Sequence, residues 1–114
     1  MIEIKNLYDF IEEEVIKKLD AIGIKFVEDL LTFTTVELSD KTGFSFDQII
    51  NAQFYGLLLK QGVPRSWIKV LSEQKIDIRK FVSYSVDALL DMYEKYKMPR
   101  ETTWLGIIQL TDMV

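Results

Sequence analysis

The sequence predicts an all-α fold, a compact bundle of about eight short helices in one domain. Apolar residues recur at steps of three and four along most of the chain, and the alternating pattern of a strand is almost absent. Glycine, proline and capping pairs divide these apolar runs at short intervals. The chain has 114 residues, of which 48% are hydrophobic and 28% charged. This size and balance fit a single folded domain over residues 1–114.

The first two helices are predicted from apolar spacing and from one glycine. A helix from Leu7 to about Leu19, with Asn6 as its N-cap, places its apolar residues on one face. Gly23 is expected to end this first segment, because glycine adopts the left-handed conformation that stops a helix. A short second helix is expected over residues 26–31.

Two capping boxes predict where the third and fourth helices begin. Thr34 is followed three residues later by Glu37, and Ser45 is followed three residues later by Gln48. In such a pair, each side chain accepts a hydrogen bond from the backbone N–H of the other residue. The helix that Thr34 opens is expected to end at Gly43.

The fourth predicted helix, residues 46–60, is apolar on most sides, which is typical of the buried centre of a bundle. Gly62 is suited to end it, and Pro64 is suited to the first turn of a fifth helix that extends to about Glu73. The residues that we expect this fifth helix to direct inward are Trp67, Ile68 and Leu71.

The remaining helices are predicted from caps and a proline. Asp77 and Ser85 are expected to cap two short helices, and Pro99 is expected to open a last helix that contains Trp104. With these, the number of helices reaches about eight.

The two halves of the chain are predicted to be copies of one repeat, residues 7–61 and 62–114. With a shift of 52 residues, apolar positions of the first half fall on apolar positions of the second half. The matched pairs are Ile11 with Val63, Val15 with Trp67, Ile16 with Ile68, Leu19 with Leu71, and Ile24 with Ile76.

The first half also resembles a known family, the helix-hairpin-helix repeat. The residues that carry the resemblance are Leu19, Gly23-Ile24, Val27, Leu30-Leu31, Glu37-Leu38, Thr42-Gly43, Ile49-Ile50 and Ala52. The pattern is most similar to the small N-terminal domain of RadA-type recombinases and to the C-terminal domain of the bacterial RNA polymerase alpha subunit. Two such repeats imply a tandem helix-hairpin-helix domain, which occurs in many DNA repair and replication proteins and is also recruited for protein contacts.

The composition excludes several classes of enzyme. Cysteine and histidine are both absent, so disulfides, thiol catalysis, imidazole bases and metal sites built on these residues are excluded. The sequence also lacks a phosphate-binding loop, a nucleotide-binding glycine motif and a nucleophile elbow. We expect a protein that is not an enzyme and that has no cofactor, no metal and no small-molecule substrate.

The start of the chain lacks the basic and apolar segments of a signal peptide, and no apolar run approaches the length of a membrane span. We therefore expect a cytoplasmic protein that does not insert into a membrane.

The resemblance implies a place for DNA contact in the second half. In the family, a glycine–apolar–glycine hairpin lets backbone N–H groups approach a phosphate, since a side chain would block that approach. The first half has no glycine at the matching place, residues 10–12, and we expect no DNA contact there. The second half has Gln61-Gly62-Val63-Pro64, in which proline replaces the second glycine and removes one donor. The residues expected to contact nucleic acid are Gly62, Val63, Arg65, Ser66 and Lys69.

Charge supports this placement, although the chain as a whole is acidic. The formal net charge is −4, whereas residues 60–80 hold six basic and two acidic residues. Contact with DNA through this segment would be weak and independent of sequence, because few phosphates are reached. The alternative is that Gly62 and Pro64 only end and begin helices and that the basic residues form an ordinary solvated face. Trp67 and Trp104 are expected in the core, and the alternative for them is stacking on single-stranded bases.

The acidic start of the first helix predicts a second kind of contact. Glu12, Glu13 and Glu14 form a surface for a basic protein partner, in a DNA-processing assembly or as part of an adaptor that binds no nucleic acid. Side chains at successive helical positions point in different directions, so these three carboxylates are not expected to hold one cation.

Overall fold

The computed structural model describes residues 1–76 and Lys80, and the regular elements within them are helical. The elements are a 3-10 helix (Ile4–Leu7) and the α-helices α1 (Glu13–Ala21), α2 (Val27–Leu30), α3 (Thr35–Thr42), α4 (Phe46–Lys60) and α5 (Arg65–Glu73). The all-α class is confirmed for this part of the chain. The helices expected after Asp77, Ser85 and Pro99 lie outside the described residues, as does Trp104, so the count of eight helices stays a prediction.

Helix α4 forms the centre of the described fold, as its apolar sequence predicts. It packs against α2, α3, α5 and the 3-10 helix. Gly56 lies where α2 meets α4, and a Cβ atom at this position would stand 3.1 Å from Cγ1 of Val27. Glycine therefore allows the two helices to approach. At 15 residues, α4 is the longest of the described helices, and none of them is long and apolar enough to cross a membrane.

Both predicted capping boxes are confirmed. The N–H of Glu37 donates to Oγ1 of Thr34 (3.1 Å), and the N–H of Thr34 donates to Oε1 of Glu37 (3.2 Å). At α4, the N–H of Gln48 donates to Oγ of Ser45 (3.2 Å), and the N–H of Ser45 donates to Oε1 of Gln48 (3.0 Å). These bonds satisfy N–H groups that have no acceptor within the helix, so both helix starts are fixed by local sequence.

The predicted start of the first helix is wrong. The chain forms the 3-10 helix and a turn before α1 begins at Glu13, and Asn6 is not the N-cap: its Nδ2 donates to the carbonyl of Glu3 (3.0 Å). The physical reason is long-range pairing, because the N–H of Ile4 donates to the carbonyl of Lys25 (2.9 Å). This pairing holds the backbone ahead of Leu7 and leaves α1 nine residues long.

The N-terminal segment is further tied to α2. The N–H of Val27 donates to the carbonyl of Ile2 (2.8 Å), and Glu3 and Phe26 form an isolated antiparallel bridge. The N–H of Ile2 donates to Oε1 of Glu28 (2.9 Å). This hydrogen bond lowers the pKa of Glu28 from its ordinary value of 4.5, because it favours the ionised carboxylate.

Helices α1 and α5 have the same length and end in the same way. Each has nine residues. Each is followed by a left-handed residue, Gly23 (φ 94°) after α1 and Lys75 (φ 55°) after α5. The next residue, Ile24 or Ile76, is buried and donates its N–H to the carbonyl of the third residue from the helix end, at 3.0 and 2.9 Å. Both ends are therefore Schellman motifs.

The two helices also begin alike and bury corresponding residues. Their N-caps have nearly the same backbone angles, φ −62° and ψ 136° at Glu12 and φ −56° and ψ 137° at Pro64. Pro64 thus precedes the helix by one residue instead of opening it. The buried residues are Val15, Ile16 and Leu19 in α1 and Trp67, Ile68 and Leu71 in α5. The repeat over the whole chain extends beyond the described residues and stays a prediction.

Candidate functional site

The turn between α4 and α5 is held by hydrogen bonds to α4. Gly62 is left-handed (φ 81°), and its N–H donates to the carbonyl of Leu59 (3.1 Å). The N–H of Val63 donates to the carbonyl of Leu58 (3.0 Å), and the Val63 side chain is buried. Both N–H groups therefore complete the end of α4, and Pro64 has none. The next backbone donors along the chain belong to Arg65 and Ser66.

Among the described residues, the start of α5 has unpaired N–H groups and no acidic residue in its first turn. Within the described part of the chain, the N–H groups of Arg65 and Ser66 have no acceptor, while those of Trp67 and Ile68 donate to the carbonyl of Pro64 (3.0 and 3.2 Å). The N-cap side chain makes no hydrogen bond, and the first turn holds no acidic residue. A helix start of this kind carries a partial positive charge and favours an anion.

Arg65 binds to the N-terminal segment of the same chain. Its Nη2 donates to Oδ2 of Asp9 (3.0 Å) and to the carbonyl of Asn6 (3.0 Å). Its guanidinium carbon stands 4.9 Å from the centre of the Phe10 ring, within the range of a cation–π contact. The structure thus gives Arg65 a role in joining α5 to the segment before α1. No local sequence pattern predicts this contact, because Asp9 lies 56 residues away from Arg65.

Of the residues predicted to contact nucleic acid, Val63 is buried, whereas Gly62, Arg65, Ser66 and Lys69 are exposed. Lys69 forms no ion pair among the described residues. Lys69 lies four residues after Arg65, so the two side chains project from the same side of α5. Trp67 is only 2% exposed, which places it in the core as expected and leaves no face for stacking on a base.

The three glutamates at the start of α1 have three different environments. Glu12 is the N-cap, Glu13 pairs with Lys17 (Oε1 to Nζ, 3.1 Å), and Glu14 hydrogen-bonds to the carboxyl of Glu12. That hydrogen bond, together with repulsion from the charge of Glu12, raises the pKa of Glu14 above its ordinary value of 4.5. Glu12 and Glu14 therefore lie near each other, because Glu12 precedes the helix. That the three carboxylates do not hold one cation stays a prediction.

Groups of three or more carboxylates placed to bind a metal ion are absent from residues 1–76 and Lys80. The predicted site residues form two surfaces, the acidic start of α1 and the start of α5, which favours an anion.

Comparison of the chain with models of known protein families, with curated proteins and with solved structures gives no match.

Proposed function

We propose that the chain is a non-enzymatic interaction module resembling a tandem helix-hairpin-helix domain, an accessory protein of a DNA replication, repair or transcription assembly. It contacts DNA phosphates weakly and without sequence preference through the start of α5. The observation that carries this proposal is that the N–H groups of Arg65 and Ser66, and the ammonium group of Lys69 one turn later, have no partner within the part of the chain that the structure describes.

These groups fit the phosphate backbone better than the bases. Backbone N–H groups and a lysine at a helix start bind phosphate oxygens, and such contacts carry no sequence information. The favourable interaction of an anion with a helix start is about 0.3–1 kcal/mol at a surface. With two or three phosphate contacts, binding is expected in the weak range of non-specific complexes, with Kd on the order of 10⁻⁴ M at physiological salt.

A pure protein–protein adaptor is the second candidate, and two observations favour it. The chain has a formal net charge of −4, which opposes approach to DNA. The charge of Arg65 is also already paired with Asp9. In this case the start of α5 would contact no nucleic acid, and Glu12 and its neighbours would bind a basic partner.

Fluorescence anisotropy with labelled duplex and single-stranded DNA at two salt concentrations tests the proposal. Lys69→Gln is the informative variant, and Lys17→Gln is its matched control, because each lysine is the fifth residue of a nine-residue helix and is exposed. We expect DNA binding to weaken as the salt concentration rises. In Lys69→Gln, the slope of the logarithm of the binding constant against the logarithm of the salt concentration is expected to be shallower by about one unit.

Absence of DNA binding at low salt would contradict the DNA contact, and the protein–protein adaptor would then be the remaining candidate function. Equal losses in Lys69→Gln and Lys17→Gln would show that only net charge matters and would contradict a site at α5. Binding at the acidic surface is tested separately, by retention of a partner on the immobilised protein before and after Glu12, Glu13 and Glu14 are changed to lysine.

A further inference from the structure

The side chain of Arg65 is held by three groups that belong to residues 6–10. Its Nη2 atom donates to Oδ2 of Asp9 and to the carbonyl of Asn6, both at 3.0 Å. Its guanidinium carbon lies 4.9 Å from the centre of the Phe10 ring. Since Nη2 carries two N–H groups, these two acceptors use both of them. The most basic group at the start of α5 is therefore already bound by the chain itself.

The contact with Asp9 compensates the charge of Arg65. Asp9 forms no other ion pair within residues 1–76 and Lys80, so Arg65 is its cationic partner there. A guanidinium binds carboxylate and phosphate oxygens through the same donors. A phosphate that approaches Arg65 therefore competes with a carboxylate of the same chain, whereas the described residues offer no such competitor for Lys69.

The ion pair is exposed enough to be exchanged. The side chains of Arg65 and Asp9 are 48% and 61% exposed, and a pair of this exposure contributes little to stability. Arg65 is also the first residue of α5, one helical turn before Lys69 and on the same side of the helix. A phosphate that displaces Asp9 is thus reached by Arg65 and Lys69 together, without rearrangement of the helices.

We propose that Asp9 is an internal competitor of DNA phosphate: it occupies Arg65 in the free protein and thereby lowers the affinity of the start of α5 for DNA. The inference rests on the proposed function and deepens it, because it gives the regulation of that site. Removing the charge of Asp9 makes Arg65 available as a further phosphate contact beside Lys69. The opposite arrangement, in which Asp9 positions Arg65 for phosphate, predicts a change of opposite sign.

The test is DNA anisotropy of Asp9→Asn at two salt concentrations. Asparagine keeps the size of the side chain and removes its charge. We expect DNA binding about two- to fivefold tighter than in the wild type, and a salt dependence steeper by about one unit, because one more phosphate is contacted. Asp20→Asn is the matched control and is expected to give a much smaller gain. Asp20 pairs with Lys25 (Oδ1 to Nζ, 2.8 Å) at similar exposure, so its loss changes the net charge equally.

A double variant, Asp9→Asn with Arg65→Gln, shows whether the gain depends on Arg65. It has the net charge of the wild type, because one acidic and one basic group are removed. We expect its affinity for DNA to return to that of the wild type. In ¹⁵N-labelled protein, we also expect DNA to shift the side-chain Nε–Hε signal of Arg65 further in Asp9→Asn than in the wild type.

Three results would overturn the inference. Equal gains in Asp9→Asn and Asp20→Asn would show that net charge alone governs binding. Weaker binding of Asp9→Asn would show that Asp9 positions Arg65, and a gain that persists in the double variant would show that Arg65 is not involved. The two proposals fail differently: DNA binding by the wild type without a gain in Asp9→Asn rejects the competitor alone, whereas absence of DNA binding in both proteins rejects the proposed function as well.

Discussion

Helices α1 and α5 share a backbone geometry and differ in the chemistry of their starts. Both have nine residues, N-caps with nearly the same backbone angles, and Schellman ends. Helix α1 begins with acidic residues that compensate its own partial positive charge, whereas α5 begins with Arg65 and Ser66 and has no acidic residue in its first turn. Similar buried positions thus accompany the same backbone geometry in α1 and α5, while the exposed positions determine whether a helix start is available to an anion.

The largest expected difference between the helices concerns the core. Trp67 in α5 occupies the position that Val15 occupies in α1, and both are 2% exposed. Trp67→Ala is expected to lower the free energy of unfolding by about 3–5 kcal/mol, because it leaves a large cavity. Val15→Ala removes only two methyl groups and is expected to cost about 1–2 kcal/mol. Urea denaturation measures both losses, and losses of equal size would contradict the larger cavity expected at Trp67.

The second difference concerns the left-handed residue after each helix. Gly23→Lys is expected to lower the free energy of unfolding by about 1–2 kcal/mol, because a side chain is strained at φ 94°. Lys75→Gly makes the reverse change after α5 and is expected to raise the free energy of unfolding by about 0.5 kcal/mol. The relief of backbone strain is expected to exceed the additional conformational entropy that glycine loses on folding. Thermal unfolding at neutral pH checks both changes. A stabilising Gly23→Lys would show that the two helix ends are not equivalent.

The third difference is the one on which the proposed function depends. Ser66→Glu gives α5 the acidic first turn of α1, because residue 66 corresponds to Glu14. We expect the carboxylate to stabilise the helix start by about 0.3–1 kcal/mol and to prevent phosphate contact by occupying the N–H groups and repelling the anion. Urea denaturation and DNA anisotropy on the same sample measure the two effects. Retained DNA binding in a stabilised Ser66→Glu variant would contradict the site.

The smallest difference is in pH dependence, since Glu14 titrates and Ser66 does not. The folded pKa of Glu14 is raised, so its contribution to stability is complete below the ordinary value of 4.5 and is lost as the pH rises through the folded pKa. Glu14→Gln is therefore expected to be more stable than the wild type at neutral pH and nearly equal to it below pH 4.5. Denaturation midpoints of the variant and the wild type across this pH range measure the effect. A difference in stability between the two proteins that is the same at all pH values would contradict the contact between Glu12 and Glu14.

Local sequence predicted the elements whose determinants are local. The boxes at Thr34 and Ser45, the stop at Gly43 and the centre formed by α4 depend on residues within a few positions of one another. These features were predicted correctly because capping and apolar periodicity act over one or two helical turns.

Features that depend on distant contacts were missed. The pairing of Ile4 with Lys25 replaced the predicted helix start by a 3-10 helix, and the contact of Arg65 with Asp9 joins residues that no spacing rule connects. The sequence identified the residue types at the candidate site, but it did not show that Arg65 is already bound or that the N–H groups of Gly62 and Val63 are already used.

The most direct test of the central claim compares the two helix starts in one experiment. The ¹⁵N-labelled protein is titrated with duplex DNA at low salt, and the amide shifts of Arg65 and Ser66 are compared with those of Glu13 and Glu14. We predict shifts at the first pair that saturate with DNA and vanish when salt is added, while the second pair stays unchanged. Shifts of equal size at both helix starts, or at neither, would contradict the claim that α5, and not α1, presents its N–H groups to phosphate.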